Sequence, residues 1–196
     1  MVAMPDEQNP IRMTEVEYLA FERASKIKHE FINGDVYAMA GASWEHNQIF
    51  TATIASLFAQ LRGQPCTANP SDQRIKVMET NFMAYSDISV ICGEAIFAGN
   101  EYDTIINASV IIEILSASTE GYDRGVKFQN YRNMLTLQEY ILISQDKPRI
   151  EGYTRQDNGK WLLTDTIGLE SIHQIAAINC QLALTDVYEK ITFKTD

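Results

Sequence analysis

The feature that most constrains this chain is an acid inside an apolar run. Glu113 follows Val110-Ile111-Ile112 and precedes Ile114-Leu115, a pattern typical of a strand covered on both faces. A carboxylate buried there without a partner costs several kcal/mol, or its pKa rises until it is neutral. Glu113 therefore needs an arginine, a lysine or a metal beside it. Two alternatives stay open, a strand-end acid that points into water and a structural ion pair.

Two further charged residues lie in comparable settings. Asp87 stands before the apolar run 88–91 at the head of a predicted strand, where an acid is also a common turn residue. Lys127 lies on a predicted helix on the same side as Arg124 and Tyr131, where a lysine can also extend along the surface into water. If the two strands are neighbours, their carboxylates converge, and the repulsion favours a bridging cation. A hard oxygen site of this kind fits Mg²⁺ or Mn²⁺.

Length and composition predict one domain. The 196 residues are 45% hydrophobic and 21% charged, and a chain of this size buries roughly 70% of its extended surface on folding. No segment approaches the roughly 18 consecutive apolar residues of a membrane span, and the N-terminus lacks the apolar stretch of a signal peptide. We therefore expect a cytoplasmic protein with no membrane partner, made of a loose arm over residues 1–13 and one domain over residues 14–196.

The net charge of −10 argues against a nucleic-acid partner. Proteins that bind nucleic acid usually present a basic face whose contacts release counterions. Binding to DNA then requires positive charge concentrated near the site. The basic residues close to the acidic motifs in sequence are Arg74, Lys76, Arg124 and Arg132.

Cysteines and histidines give no metal-site pattern. Cys66, Cys92 and Cys180 are widely separated and contain no CxxC pair, so we predict buried or free thiols and neither a disulfide framework nor a zinc site. His29 and His173 stand in no metal-ligand spacing with each other. His46, at the start of a predicted helix, is interpreted as a surface or capping group.

The N-terminal half predicts the element order αββαβββα. Thr14 and Glu17 form a capping-box pattern for a helix to about residue 24, and Asn33-Gly34 predicts a tight hairpin turn. Ser43 can cap a second helix over residues 46–61. Extended segments follow at 73–78, 85–92 and 109–115, and then a helix that starts at 118, 119 or 123 and ends before 136.

The C-terminal half predicts further strands. Residues 139–144 are nearly all apolar and indicate a buried strand, while the runs 149–155 and 160–165 flank an Asp-Asn-Gly turn and indicate a hairpin. A last short strand is expected near 181–184. No repeat or linker divides the chain, so we predict one mixed α and β domain.

Several separated motifs resemble one known family. HEFINGDVYAMAG, SDQRIKV, YSDISVICGE, SVIIEILSASTEGYDRGVKFQNYR and EYILISQDKPRIEGY are similar to the bacterial Uma-type putative restriction endonucleases, which belong to the PD-(D/E)xK nuclease superfamily. The likeness extends over roughly residues 13–190. It implies a restriction-endonuclease-like core with a central mixed sheet flanked by helices, extended by an N-terminal helix and hairpin and a C-terminal hairpin.

The resemblance also implies roles for individual residues. Asp87 and Glu113 match the two acids that bind metal, together with the main-chain carbonyl of Ile114. The lysine is absent from its usual place, where this chain has Leu115, and the resemblance implies that Lys127 supplies it from the following helix. Two further acidic positions of the family, expected to line the site, are matched by Glu30 and Asp72.

The resulting hypothesis is a Mg²⁺- or Mn²⁺-dependent DNA endonuclease that hydrolyses phosphodiester bonds. The metal activates a water, Lys127 positions that water or neutralises developing charge, and attack is in line. A symmetric homodimer is the simplest way to cut both strands. Two alternatives stay open. One is a nuclease-like fold used as a binding or assembly module, which the acidic balance favours, and the other is a hydrolase of another phosphate ester.

Overall fold

A computed structural model of the chain describes residues 11–193. Most of the predicted loose arm, residues 1–10, lies outside the described residues. Its last part is not loose, because Ile11–Arg12 (β1) pair with the second strand of a hairpin. The division into an arm and one domain stays a prediction.

The first helix and hairpin form where the sequence predicts them. Helix α1 (Glu15–Ala24) begins at a complete capping box, because the Thr14 hydroxyl accepts from the Glu17 amide and the Glu17 carboxylate accepts from the Thr14 amide. Strands β2 (His29–Ile32) and β3 (Asp35–Ala38) then form an antiparallel pair. Their turn uses positive φ angles of 48° at Asn33 and 103° at Gly34.

Helix α2 (Trp44–Gln60) begins slightly earlier than predicted. The Ser43 hydroxyl accepts from the His46 amide at 3.0 Å and caps the first turn. Ile49 and Leu57, both fully buried, pack this helix against the second of the two sheets described below.

The middle of the chain supplies strands to two sheets. In chain order these strands are β4 (Cys66–Pro70), β5 (Arg74–Val77), β6 (Phe82–Tyr85), β7 (Ile88–Cys92), β8 (Thr104–Ile105) and β9 (Val110–Leu115). The predicted strand over 85–92 is divided between them, since Tyr85 ends β6 in the first sheet and Ile88 begins β7 in the second. The chain thus changes sheets at Ser86 and Asp87.

The predicted helix after β9 is one continuous helix, here called α3, with an irregular centre. It consists of α-helical Glu120–Tyr122, a π-helical turn over Asp123–Lys127 and α-helical Phe128–Tyr131. The remaining elements are β10 (Glu139–Ser144), β11 (Arg149–Arg155), β12 (Trp161–Ile167), β13 (Ile172–Ile175), β14 (Cys180–Ala183) and the short helix α4 (Leu184–Val187). The buried strand and the hairpin of the C-terminal half are confirmed.

Two six-stranded mixed sheets and a two-stranded ribbon result. The first sheet has the order β1-β3-β2-β6-β5-β8, the second the order β12-β11-β10-β9-β7-β4, and β13 pairs with β14. Pairing is antiparallel except between β9 and β10 and between β5 and β8. Helix α2 packs on one face of the second sheet, whereas Tyr131 and the following Met134 pack on the opposite face. Within residues 11–193 no helix is long and apolar enough to cross a membrane.

The prediction of three unlinked cysteines is wrong for two of them. In the β4–β7 pair Cys66 lies opposite Cys92, with 3.9 Å between their Cα atoms, and the two form a disulfide. The sequence CTANP alternates only small apolar residues with polar ones and ends in proline, so β4 was not predicted and the cysteines appeared far apart. Cys180 is buried and free, as expected.

Candidate active site

Asp87 and Glu113 lie side by side at the end of two neighbouring strands. The antiparallel pair of β7 and β9 sets Ile88 opposite Ile112, which brings the two acids together just beyond that pair. The Asp87 amide donates to Glu113 Oε2 at 3.2 Å, and the Ile114 amide donates to Asp87 Oδ2 at 2.7 Å. Each carboxylate therefore accepts a hydrogen bond from the backbone beside the other acid.

Lys127 lies beneath this pair, surrounded by acids. Its Nζ is 3.2 Å from Glu113 Oε1 and 3.4 Å from both Glu30 Oε1 and Asp123 Oδ1. It also donates to the main-chain oxygen of Tyr85 at 3.3 Å. All four charged side chains are less than a tenth exposed. We call these residues, Glu30, Glu113, Asp123 and Lys127, the lysine cluster.

The π-helical turn of α3 explains how one helix points two charges inward. Hydrogen bonding from i to i+5 winds the backbone more loosely than the α-helix, so residues four apart lie closer to one line. Asp123, Lys127 and Tyr131 follow this spacing and are all buried. Asp123 therefore contacts Lys127 within the helix, while Lys127 reaches β9.

Charge in the lysine cluster is unbalanced. Burial raises the pKa of Glu113 well above its usual range and also raises the pKa values of Glu30 and Asp123, although the Lys127 ammonium opposes each shift. For Lys127 burial favours the neutral amine, but the three acids together outweigh it and raise its pKa well above the usual value. One ammonium faces three carboxyls, so the site favours a retained proton or an added cation.

Tyrosines close the inner side of the site. The Tyr122 hydroxyl donates to Glu30 Oε2, and the Tyr140 hydroxyl donates to the Asp123 carbonyl at 2.9 Å. Burial raises the pKa of Tyr122, Tyr131 and Tyr140 well above the usual value, so all three remain neutral phenols. These rings exclude water and strengthen the electrostatic interactions within the cluster.

Asp87 forms the outer, accessible side. Its side chain is 20% exposed, and its Oδ1 lies 3.1 Å from His46 Nε2 at the start of α2. The same end of α2 is attached to the second sheet by Ser43, which donates to Gln145 Oε1 at 2.7 Å, while Gln145 Nε2 donates to the Leu115 carbonyl at 2.7 Å. The interpretation of His46 as a surface group is wrong, because its side chain is only 14% exposed and contacts Asp87.

Asp72, in contrast, is separate from these groups. It lies in the turn between β4 and β5, its side chain is 85% exposed, and it pairs with Lys28 Nζ at 2.6 Å. No hydrogen bond or ion pair connects it to Asp87, Glu113 or Lys127. The structure brings Asp87, Glu113, Lys127 and Glu30 together, and Asp72 remains at the surface.

The expected local positive surface is largely neutralised. Arg74 and Lys76 are buried, and their partners are Asp103 and Glu15. Arg124 pairs with both Glu120 and Glu151. Of the four basic residues considered from sequence, Arg132 alone is exposed without an ion pair within the described chain. The sequence prediction failed here because it did not show which acids lie opposite each base.

The residues present fit a hard divalent cation in their chemistry. Within residues 11–193 no three His, Cys, Asp or Glu side chains are arranged to hold a metal ion. Mg²⁺, however, is usually bound by one or two carboxylates and keeps several waters. Asp87 and Glu113 supply such a pair, and the carbonyl of Ile114 follows directly. Glu30 Oε1 is buried without a hydrogen-bond donor, which again indicates excess acceptor capacity.

Two members of the site were not predicted from sequence. Asp123 stands four residues before Lys127, and this spacing is a signal for a helical ion pair that could have identified it. Tyr122 contacts Glu30 across 92 residues of sequence, and no local pattern indicates that contact.

Comparisons with known proteins identify the family of the chain. The sequence profile of the Uma2 family, described as "Putative restriction endonuclease", matches residues 16–185. The chain is 31% identical to the Synechocystis protein slr1290 over 183 residues, covering 93% of this chain and 94% of that protein. It is 36% identical to sll1609 of the same organism over 156 residues, covering 80% and 88%.

A solved structure shows the same fold. The crystal structure of a protein from Anabaena variabilis, described as a putative nuclease belonging to DUF820, superposes with a TM-score of 0.72. The match covers 90% of this chain and 98% of that one, at 14% sequence identity. The mixed α and β fold predicted from sequence is thereby confirmed as that of a nuclease-like neighbour.

Proposed function

The chain belongs to the Uma2 family of putative restriction endonucleases, and we propose that it is a metal-dependent DNA endonuclease. One observation carries this proposal. Asp87 and Glu113 are bonded to each other's strands, and Lys127 contacts the same Glu113 carboxylate. Two acids and a lysine at one strand end are suited to metal-dependent hydrolysis of a phosphodiester.

Asp87, Glu113 and the Ile114 carbonyl are the groups that would hold Mg²⁺ or Mn²⁺. When bound, such an ion lowers the pKa of a coordinated water and neutralises charge on the phosphate. Asp87 is the partly exposed member of the pair, so it faces the side from which the substrate arrives. Glu113 is the buried member, and it couples this outer acid to the lysine cluster.

Lys127 acts as a fixed positive charge. Because the three acids raise its pKa, it stays protonated and serves as a hydrogen-bond donor, not as a general base. Its ammonium can orient the attacking water or a phosphoryl oxygen and stabilise negative charge that develops in the transition state. Glu30 and Asp123 hold the ammonium in place, and the tyrosines exclude bulk water behind it.

The family description supports DNA as the substrate, whereas the net charge of the chain opposes DNA binding. With −10 overall and with Arg74, Lys76 and Arg124 paired to acids, contact with DNA depends on the metal site and on weak peripheral charges. We therefore expect binding to fall steeply as salt rises and to require the divalent ion. The same observations favour the second candidate, a nuclease fold that serves as a binding or assembly module.

The test compares acids inside and outside the site. We expect Asp87→Asn and Glu113→Gln to lower cleavage of plasmid DNA in Mg²⁺ or Mn²⁺ roughly a hundredfold or more, the scale seen when one group that stabilises transition-state charge is removed. Glu139→Gln is the matched control. Glu139 is also a buried strand acid, 3% exposed, but it accepts from the Ala177 amide and lies outside the lysine cluster.

Calorimetric titration with Mn²⁺ separates the two candidate functions. The native chain and Glu139→Gln should bind the ion, whereas Asp87→Asn and Glu113→Gln should not. A native chain that neither binds Mn²⁺ nor cleaves DNA would exclude the metal-dependent endonuclease and leave the binding module as the remaining candidate. Cleavage confined to RNA or to small phosphate esters, assayed beside plasmid and single-stranded DNA, would keep the site and change the substrate.

A further inference from the structure

The second sheet has two very different edges. At one edge, β4 contains Pro70, which has no N–H to donate, and is covalently joined to β7 through the Cys66–Cys92 disulfide. At the other edge, β12 is seven residues long and, among the strands of residues 11–193, pairs with β11 alone. A long edge strand with free backbone groups is a ready template for pairing with another strand.

Large apolar side chains are concentrated along that open edge. In β12 Leu162, Leu163 and Ile167 are 55%, 48% and 64% exposed, while Leu169 in the following turn and Ile172 at the start of β13 are 41% and 50% exposed. Natural edge strands are usually protected by charges, prolines or bulges. β12 contains neither a proline nor a lysine.

Within β12 the acidic charge is also neutralised. The single charged residue of this strand, Asp165, is paired with Arg149 of β11 through two contacts of 2.8 Å. On a chain with a net charge of −10, most surfaces repel a second copy. The β12 edge does not, because its acid already has a partner.

We propose that β12 is a homodimer interface, in which two copies pair antiparallel about a two-fold axis at Thr164. Thr164 is the midpoint of the strand, so this register pairs all seven residues of each copy. Trp161 then lies opposite Ile167 of the partner subunit, and Leu162 lies opposite Thr166 of the partner subunit. The pairing joins the two second sheets into one continuous sheet, in which Leu162 and Leu163 each gain a cross-strand neighbour on one of its two faces. It does not rest on the proposed function.

Equal charge changes at the two edges test the interface. Thr164→Asp sets two carboxylates against each other across the axis, so light scattering after size exclusion should show a dimer for the native chain and a monomer for this variant. Thr67→Asp is the matched control, because Thr67 is an exposed threonine on the opposite edge strand, β4. It adds the same charge, and the dimer should persist.

Cross-linking tests the register even where Thr164→Asp fails to fold. Thr164→Cys should give a covalent dimer with a short bismaleimide, because the two thiols face each other at the axis. Lys160→Cys, an exposed position just before β12, should not, because its two copies lie at opposite ends of the paired strands. A native monomer would overturn the proposal. A dimer that survives Thr164→Asp, an uncross-linked Thr164→Cys dimer, or a cross-linked ladder of higher oligomers would also overturn it.

Discussion

Two buried groups of charges lie close together in this molecule and are built in opposite ways. In the first sheet, the Arg74 network consists of Glu22, His29, Arg74, Tyr85 and Asp103. Glu22 accepts from the His29 amide and the Tyr85 hydroxyl, and Arg74 pairs with Asp103, which also pairs with Arg23. Each acid in this network has a base or a donor. In the lysine cluster, three acids share one ammonium.

The contrast is visible in the direction of the pKa shifts. Hydrogen bonds from Arg23 and Thr104, with the nearby Arg74 charge, overcome partial burial and lower the pKa of Asp103 to about 2. Burial raises the pKa of Glu30 despite the nearby Lys127. A balanced network stabilises the fold in its charged form, whereas an acid-rich cluster stores repulsion that a cation or a proton relieves. An excess of acids over bases is what we expect of a site that binds a cation, whereas the balanced Arg74 network is what we expect of a structural one.

The largest expected effect comes from removing the single cation of the lysine cluster. Lys127→Met leaves three buried acids without an ammonium, so we expect nuclease activity to be lost and the free energy of unfolding at pH 7 to fall by about 3–5 kcal/mol. Lys76→Met is the matched control, since Lys76 is also buried but pairs with Glu15, which is 36% exposed and can turn to water. Urea unfolding should show the smaller loss for Lys76→Met.

If repulsion among the acids destabilises Lys127→Met, the stability of this variant should also depend on pH. Lowering the pH protonates the acids, so Lys127→Met should recover part of its lost stability near pH 5, while Lys76→Met should not. Equal losses for the two variants at pH 7, without recovery at pH 5, would mean that the lysine cluster is as balanced as the Arg74 network.

A smaller effect is expected in the pH dependence of stability. The raised pKa of Glu30 means that the folded chain binds a proton that the unfolded chain releases, so stability falls as pH rises from the ordinary value of 4.5 through the folded-state pKa. Glu30→Gln should flatten that fall in urea titrations of metal-free protein. A slope unchanged by Glu30→Gln would contradict the assignment.

Asp103→Asn is the control of opposite sign. Its carboxyl contributes stability above its ordinary value of 3.8, and that contribution is lost as pH falls through about 2. Asp103→Asn should therefore lower the free energy of unfolding at pH 7 and weaken its dependence on pH in acid. Above pH 4.5 the slope of that free energy against pH should be the same as in the native chain.

The smallest effect concerns the two helix caps. Ser43→Ala and Thr14→Ala each remove a hydroxyl that caps a helix, and each should cost about 1 kcal/mol. Only Ser43 also holds α2 against the sheet end that carries Asp87. The melting temperature should therefore fall similarly for both variants, whereas the rate of DNA cleavage should fall several-fold for Ser43→Ala alone. Equal activities would show that α2 does not position the site.

The elements whose conformation is decided by local chemistry were predicted correctly. The Thr14 capping box, the Asn33-Gly34 turn and the apolar strand around Glu113 each specify a conformation within a few residues. The prediction from sequence failed for β4, β8 and β13, which are short and have no alternation of large apolar side chains. Those strands exist because neighbours pair with them, and pairing is decided by tertiary structure.

The same division applies to the site. Asp87, Glu113 and Lys127 could be proposed from sequence because a charge in an apolar context needs a partner. The Tyr85 carbonyl, the Tyr122 hydroxyl and the His46 contact could not, because ordinary residues acquire those roles only when separate elements meet. Asp72 was expected to line the site because it matches an acidic position of the family, yet its side chain is 85% exposed.

The sequence separation of 92 between Glu30 and Tyr122 also affects the order in which the contacts of the site can form. Asp123 and Lys127 meet within one helical turn, and Glu113 is only 14 residues from Lys127, so these contacts close small loops at little entropic cost. Glu30 must return across a much longer loop. We therefore expect the contacts among Glu113, Asp123 and Lys127 to form before docking of the β2–β3 hairpin brings Glu30 to the site.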